Sequence, residues 1–433
     1  MNLRTVRAKD QVQVITGWVN NVRDLGKVSF IELRSGNDML QVTVLSKNSS
    51  EELLEIVSSL TKETCIEVSG IIEESNQAPR GMEMKPQKIV VLSESAQQLP
   101  IQVSEKGDVR TDLSKRLDWR SLDLRKPESH SIFRIQSAMM QAAAAYLFDK
   151  GFTQVFTPCL MGVASESGSE VFPVIYYDRE AFLRQDPQLH RQLTIAGGVQ
   201  HIFDIGPAWR AESSHTSKHL CEHRVIAVET SFISSEQDTM RLEEEVICAI
   251  ISHLREHCAQ ELELLGIDLQ VPSTPFPEIT FPEVYDILTK RGVDVTRGED
   301  LDREAEKELY AYVKEEFGAD FYFLNKFPFE IKPFYVMRED DSEYARSVDL
   351  YFRGLELSSG GQREHRYQKL LAAIKEKGVN AKEVEWFSKF FEFGVPPHGG
   401  FAIGVERLTQ SLLERSNIRE CVLFPRDTDR LVP

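Results

Sequence analysis

The chain has 433 residues, long for one ordinary domain, so two domains are expected. Its 41% apolar and 27% charged residues exclude a disordered or fibrous chain and describe a soluble globular protein with sizeable cores. The net charge of −17 speaks against a wholly basic nucleic-acid binder, yet phosphate is held by local basic surface, so charge leaves the partner open.

The N-terminal Met1-Asn2-Leu3-Arg4 lacks the apolar core of a signal peptide. The first hundred residues read as β-rich. Val12-Gln13-Val14-Ile15-Thr16 leads into Gly17-Trp18-Val19, followed by Val28–Leu33, Leu40–Leu45, Cys65–Val68 and Lys88–Leu92. Runs of β-branched residues between Gly-, Asn- and Asp-containing turns predict a small closed barrel. A helical segment at Ser50–Leu60 falls where an OB-fold carries its one helix. Residues 1–100 are therefore read as an OB-fold, with some other five-stranded barrel as the alternative.

A polar stretch follows, read as a hinge over residues 101–130. Ile132–Lys150 predicts a helix stopped by Gly151, and Phe152–Pro158 a strand ended by proline. Glu236–Leu265 predicts one long amphipathic helix with Met240, Val246, Ile247, Ile250, Ile251 and Leu254 facing a core. Short strands with Gly-rich turns dominate from Phe321 onward. Apolar helical runs such as Ala142–Phe148 are too short to span a membrane. The six cysteines show neither a CxxC pair nor zinc-ligand spacing, which points to free thiols in a reducing cytoplasm. No GxGxxG or GxxxxGK(S/T) follows a strand, so neither a Rossmann nor a P-loop nucleotide site is indicated.

Three segments combine Arg, Glu and Gly in ways a core does not require. They are Trp209-Arg210-Ala211-Glu212 with His215, Lys218, His219 and a strand through Glu229; Asp349 through Arg363; and His398-Gly399-Gly400 through Arg407. An Arg two residues from a Glu on a strand shares its face, and the pair can hold a phosphate and a cation. Glu356 and Ser359 are candidate Mg²⁺ ligands, since Mg²⁺ takes a few carboxylate oxygens plus phosphate. Gly399, Gly400 and Gly404 would let a nucleotide approach the backbone. Any one such Arg is more often a solvated or ion-paired surface residue.

As a set, the segments resemble motifs 2 and 3 of the class II aminoacyl-tRNA synthetases, and Gly151–Pro158 resembles motif 1, the dimer interface of that family. The ending Phe424-Pro425-Arg426-Asp427 through Arg430-Leu431-Val432-Pro433 is similar to that of the aspartyl branch, as is the barrel carrying Gly17-Trp18-Val19. The resemblance covers essentially the whole chain. It implies an α+β protein: an N-terminal OB-fold that binds the anticodon, then a class II catalytic domain over residues 131–433, an antiparallel sheet flanked by helices. It further implies a cytoplasmic homodimer that uses ATP and Mg²⁺ to activate aspartate and load it onto tRNA, with no membrane partner.

Residue by residue, the resemblance puts Arg210 on the α-phosphate of ATP and Arg407 on the γ-phosphate, with Glu212, His219 and His223 near the nucleotide. Glu229, Glu356 and Ser359 would hold Mg²⁺. Arg363 would fork onto the substrate's side-chain carboxylate, a geometry suited to guanidinium. Gln188, in a segment similar to the aspartyl signature Gln-Ser-Pro-Gln-Leu-Tyr-Lys-Gln, and Glu166, in a segment similar to the family's flipping loop, would complete the amino-acid pocket. The reaction needs positioning and charge stabilisation, not a nucleophilic side chain.

The departures from the pattern cluster in that pocket. Asp186 stands where the signature has Ser, Arg191 where it has Lys, Ala227 where the family has an Asp facing the substrate ammonium, and Ser167 where the loop has Gly. His223 replaces the aromatic ring that stacks on adenine. An ammonium buried without its carboxylate costs roughly 3–5 kcal/mol. Either Asp186 supplies the missing charge, or the ligand differs and the chain is a paralogue acting on another acid, or it is a catalytically weak tRNA-binding protein. On the barrel, Phe30 is a candidate base-stacking residue and Gln41 a candidate base-edge reader, with barrel core as the alternative for Phe30. Arg23 and Lys27 are candidate phosphate contacts. Asn20 and Pro79 occupy two loop positions where the resemblance links Trp and a basic residue to rejection of asparagine tRNA, which implies a non-discriminating type charging tRNA(Asp) and tRNA(Asn).

Overall fold

Alternating buried and exposed side chains along five strands of the N-terminal part leave one apolar face per strand, and the strands curl to enclose it. The computed structural model describes residues 7–104, 110–162, 171–211, 216–299 and 301–433, which fall into two units, Met1–Ser131 with Pro433, and Ile132–Val432. In the first unit β1 (Lys9–Asp24), β2 (Val28–Ser35), β3 (Asp38–Leu45), α1 (Glu51–Ser59), β4 (Cys65–Glu74) and β5 (Met82–Ser93) form a closed barrel in the order β1-β2-β3-β5-β4. Only β3 and β5 pair in parallel. Ile15, Val19, Ile31, Leu33, Val42, Ile66 and Val68 fill the interior, with Leu53 and Val57 of α1 packed against them. Ser50 caps α1 by accepting from the Leu53 N–H at 3.2 Å.

Phe30 is not part of that core. It lies half-buried on the outer face of β2, with the Arg23 guanidinium 5.8 Å from its ring centroid. The same face carries Gln41, whose amide donates to Glu83 Oε2 at 3.0 Å. Asn20 sits at a bulge in β1 and donates to Glu32 at 3.2 Å, while Pro79 is exposed in the β4–β5 turn.

Two short helices, α2 (Leu113–Asp118) and α3 (Arg120–Asp123), occupy much of the stretch read as a hinge. They are tied together by Asp123, which is paired with Arg116 and Arg120 at 2.7 Å each. Arg125 bonds Glu63 at 2.9 Å and lies 5.2 Å from the Trp18 ring. Glu63 also holds Arg34 through two bonds of 2.9 and 2.7 Å, both side chains only 2% exposed.

The second unit begins within α4 (Pro127–Asp149) and continues through β6 (Thr153–Gln154), β7 (Leu160–Met161), β8 (Pro173–Tyr176), β9 (Arg179–Leu183), α5 (Gln188–Ala196), β10 (His201–Trp209), β11 (Glu222–Ser231), α6 (Glu236–His257) and α7 (Ala259–Leu265). It ends with β12 (Glu278–Thr280), α8 (Phe281–Lys290), α9 (Arg303–Phe317), β13 (Phe321–Asn325), β14 (Ser347–Phe352), β15 (Leu355–Arg363), α10 (Tyr367–Glu376), α11 (Glu385–Ser388), β16 (His398–Gly404) and α12 (Val405–Leu412). Eight strands make one sheet in the order β12-β13-β14-β15-β16-β11-β10-β6. The inner six are antiparallel, and β12 and β6 join in parallel at the edges.

One face of this sheet is apolar. Phe203, Ile226, Val228, Leu350, Phe401 and Ile403 pack there against Met139 and Ala143 of α4 and against Val246, Ile247 and Ile250 of α6. Each such side chain contributes roughly 1.5–3 kcal/mol on burial, enough to decide which face the helices cover. The other face carries the polar segments.

The expected single helix Glu236–Leu265 is broken at Cys258, whose φ of −121° and ψ of 21° leave the helical region. Neither Gly nor Pro marks the break, so the residue pattern cannot reveal it. The strand expected over Phe152–Pro158 pairs only at Thr153–Gln154, and Phe156 beyond it is 83% exposed.

Glu63 closes the barrel unit on itself. Glu63→Ala would leave Arg34 buried without a counter-charge, and a loss of about 3–5 kcal/mol of that unit's stability is expected in denaturant unfolding. Replacing both by apolar residues, Arg34→Met with Glu63→Leu, is expected to cost clearly less.

Candidate active site

Cross-strand partners in a sheet share a face, so the register of the central strands assembles the polar face. One row runs Asp349, Ser359, Ala402, Ala227, Asp204 across β14, β15, β16, β11 and β10. The next row runs Ser347, Gly361, Gly400, Glu229, Ile202. The middle of each row is small, which leaves a floor for a ligand. The cleft above it has a volume of about 260 Å³ and is lined by, among others, Asp186, Gln188, Arg210, His219, His223, Lys332, Glu356, Ser359, Arg363 and Arg407.

At one end lies a buried ion pair. Arg363 of β15 donates from Nε to Glu229 Oε1 at 3.1 Å and from Nη2 to Glu229 Oε2 at 3.4 Å and the Gly400 carbonyl at 3.1 Å. Gln188, at the start of α5, donates its amide to Glu229 Oε2 at 2.9 Å, and its carbonyl accepts from Arg363 at 3.3 Å and from Arg191 at 2.8 Å. Gln188 and Arg191 are three apart on the helix and so reach the sheet together. Arg191 and Glu229 have no exposed surface at all. A Cβ on residue 400 would lie 2.7 Å from Glu229 Oε2 and 1.9 Å from the Val228 carbonyl, so the pair requires glycine there. Gly400 thus makes room for Glu229, a different use from the nucleotide approach expected of it.

Asp186 bonds Arg191 at 2.6 Å through Oδ2, and its Oδ1 has no partner. Burial would raise this carboxyl, but Arg191 first, then Arg363 and Arg210, hold it below the usual carboxylate range. At this end Arg363 pairs with Glu229 and Arg191 with Asp186.

At the other end Arg407 lies 3.3 Å from Glu356 Oε1 and lines the cleft with Arg210, His219 and Lys218. His219 shares a 2.6 Å bond with Thr216. Burial, then Arg210 and Arg407, push the His223 imidazole down to about 3, so it is neutral at physiological pH. Asp349, which opens the second polar segment, carries no assigned role in the sequence reading. Its Oδ2 accepts from Lys332 at 2.8 Å, its Oδ1 is buried without a partner, and burial raises its carboxyl to about 6 against the pull of Lys332, with Glu356 adding to the rise.

The structure sets Glu229 apart from Glu356 and Ser359. From the register its backbone is two strands and two residues from Ser359, about 12 Å, and Glu356 lies further along β15. Its carboxylate is spent on Arg363 and Gln188. The register brings Asp349, Ser359 and Glu356 together on the cleft face instead. Among the described residues no three His, Cys, Asp or Glu could hold a metal by themselves. The unpartnered Asp349 oxygen beside the Glu356 carboxylate suits an ion that completes its shell with phosphate and water, as Mg²⁺ does. Glu166 and Glu212 lie outside the described residues, with Ser167 and His215.

A family model described as class II tRNA synthetases (D, K and N) matches residues 112–428, and one described as an OB-fold nucleic acid binding domain matches residues 13–92. The aspartate–tRNA(Asp) ligase of Pyrococcus horikoshii is 43% identical over 97% of this chain and 95% of its own length. The aspartate–tRNA(Asp/Asn) ligase of Methanopyrus kandleri is 42% identical over 97% and 95%. The crystal structure of Pyrococcus horikoshii asparaginyl-tRNA synthetase with asparaginyl-adenylate superposes with a TM-score of 0.90 at 30% identity, covering 98% of this chain and 96% of that one. The chain belongs to the class II tRNA synthetases of the D, K and N group, with an OB-fold nucleic acid binding domain ahead of the catalytic unit.

Proposed function

We propose that the chain activates L-aspartate with ATP and transfers it to tRNA(Asp), and also to tRNA(Asn). The observation that carries this reading is the polarity of the cleft: the Arg363 guanidinium with Asp186 at one end and Arg407 beside Glu356 at the other, with Arg210 in its lining. ATP use comes with the family. Aspartate and tRNA as substrates are supported by relatives that are aspartate–tRNA ligases over nearly the whole chain.

In this reading Arg363, with Gln188 and Arg191 behind it, meets the side-chain carboxylate, and Asp186 completes the amino-acid end, with Glu166 as a further candidate. The substrate's α-carboxylate oxygen attacks the α-phosphorus in line, and the bond from that phosphorus to the oxygen bridging it to the β-phosphate breaks, giving aminoacyl-adenylate and pyrophosphate as the leaving group. Arg210 neutralises the α-phosphate, and Arg407 takes the γ-phosphate by exchanging Glu356 for it. Neutral His223 offers a flat face to adenine, near Glu212 and His219. The tRNA 3′-terminal hydroxyl then attacks the activated carbonyl and releases AMP. Asp349, Glu356 and Ser359 would hold Mg²⁺, which when bound supplies charge neutralisation on the phosphates. On the barrel, Phe30 stacks a base and Gln41 reads an edge, and Asn20 and Pro79 leave room for either anticodon. A cytoplasmic homodimer is the working form. Its motif 1 segment carries the exposed Phe156. Among the described residues no helix is long and apolar enough to cross a membrane.

One observation favours a second reading. Asp186 already occupies Nη2 of Arg191 at 2.6 Å, leaving Nε and Nη1 without partners, so a substrate's second carboxylate meets a guanidinium whose charge is already matched. A paralogue acting on a different acid would look like this. ATP–pyrophosphate exchange with a panel of amino acids, then charging of both tRNAs, decides between the two. Exchange led by aspartate with product on both tRNAs is expected. Exchange led by another acid would overturn the aspartyl reading, and exchange with none would favour a tRNA-binding protein.

Arg407→Ala is expected to lower kcat/KM for exchange by about 10²–10³, the usual loss on removing one charge-stabilising group. Asp349→Asn is expected to weaken Mn²⁺–ATP binding in calorimetry by at least about tenfold. His223→Phe keeps the flat face and is expected to hold ATP affinity within about threefold. The unfolded chain protonates this histidine near pH 6.5, the folded chain only near 3, so folding stability drops as pH falls below about 6.5. His223→Phe should flatten that slope in urea melts between pH 7 and 5.

A further inference from the structure

The two faces of β15 are joined by a side-chain contact that the cleft does not explain. Register pairs Asp349 with Ser359 and Leu350 with Ser358, then jumps to Tyr351 with Glu356, leaving Leu357 as the extra residue of a β-bulge. In a regular strand Glu356 and Ser359, three apart, would point to opposite faces. The extra residue brings both onto the face of Asp349. Ser358, between them, turns to the other face. There its Oγ donates a short hydrogen bond to the Glu243 carboxyl of α6.

Both side chains are almost fully buried, each residue 2% exposed. Among the described residues no Lys, Arg or His forms an ion pair with Glu243. Burial, opposed by the Ser358 bond and reinforced by Asp349 and Glu244, pushes its carboxyl up to about 8, so the group is a neutral acid at pH 7. Its helix is fixed: Ser235 and Asp238 form a capping box at its start, and Val246, Ile247 and Ile250 lock it to the sheet. A polar group held this rigidly beneath one bulge, with no charge partner, has no role in the apolar packing around it.

We propose that Glu243 is a positioning residue for the nucleotide end of the site: through Ser358 it pins the β15 bulge, and the pinned bulge holds Glu356 and Ser359 on the face of Asp349. Glu243 touches neither substrate nor metal. The inference rests on reading the cleft as an ATP site, and its test separates the two.

The full-length chain and three variants are compared by calorimetric titration with ATP in the presence of Mn²⁺, by Mn²⁺ paramagnetic resonance, and by the KM for aspartate in exchange. Ser358→Ala and Glu243→Leu are expected to weaken Mn²⁺–ATP binding by about 10–100-fold, the range for groups that orient metal ligands, with the aspartate KM moved less than about twofold. Glu243→Gln keeps an acceptor oxygen without charge and is expected to bind within about threefold of the parent. If Glu243→Leu fails to fold, Ser358→Ala carries the test. Binding by Ser358→Ala equal to the parent overturns the inference. So does a Gln variant as weak as the Leu variant, or an aspartate KM that rises in parallel. A parent chain that binds no Mn²⁺–ATP overturns the site reading itself, and the inference with it.

Discussion

The buried pair between Arg363 and Glu229 constrains the catalytic unit more than any other contact. Two nearly buried charges carry a desolvation cost of several kcal/mol each, and the pair is tolerable only with further hydrogen bonds around it. Gln188 and the Gly400 carbonyl supply them. Those partners come from α5, β11, β15 and β16, so one interaction fixes the helix against the sheet, forbids a side chain at residue 400 and decides which guanidinium nitrogens remain for a ligand.

The nucleotide end follows a different logic. Its carboxylates are held by cations that a polyphosphate can compete for: Lys332 on Asp349 and Arg407 on Glu356. A ligand that brings both negative phosphate and a divalent cation exchanges partners at both pairs without leaving a charge unmatched. Lys332 and Asp349 are mostly buried, whereas Glu356 and Arg407 are a third or so exposed, so the exchange at Arg407 is the cheaper of the two. Preorganisation at this end comes from the bulge at Leu357 rather than from burial.

What was legible in the sequence divides along the same line. Runs of β-branched residues between turn residues make the barrel legible, and the polar segments stand out because Arg, Glu and Gly are conspicuous together. Phe30 was ambiguous, since an aromatic residue on a strand fits either face. The pairing of Glu229 with Arg363 depends on cross-strand register, which no local pattern encodes. The partner of Asp349 is hidden for a related reason. The two-residue turn at Arg353-Gly354, both at positive φ, predicts that 349 pairs with 358, and the bulge shifts the partner to Ser359. The break at Cys258 left no trace because no helix-breaking residue marks it.

The central claim is that Glu229 serves the amino-acid end through Arg363 and not the metal. Calorimetric titration of Glu229→Gln with aspartate and, separately, with Mn²⁺–ATP tests it most directly. The account predicts that aspartate affinity falls by at least about tenfold, since Arg363 loses its anchoring charge, while Mn²⁺–ATP affinity stays within about twofold. Loss of Mn²⁺–ATP binding with aspartate affinity intact would contradict it and return Glu229 to the metal.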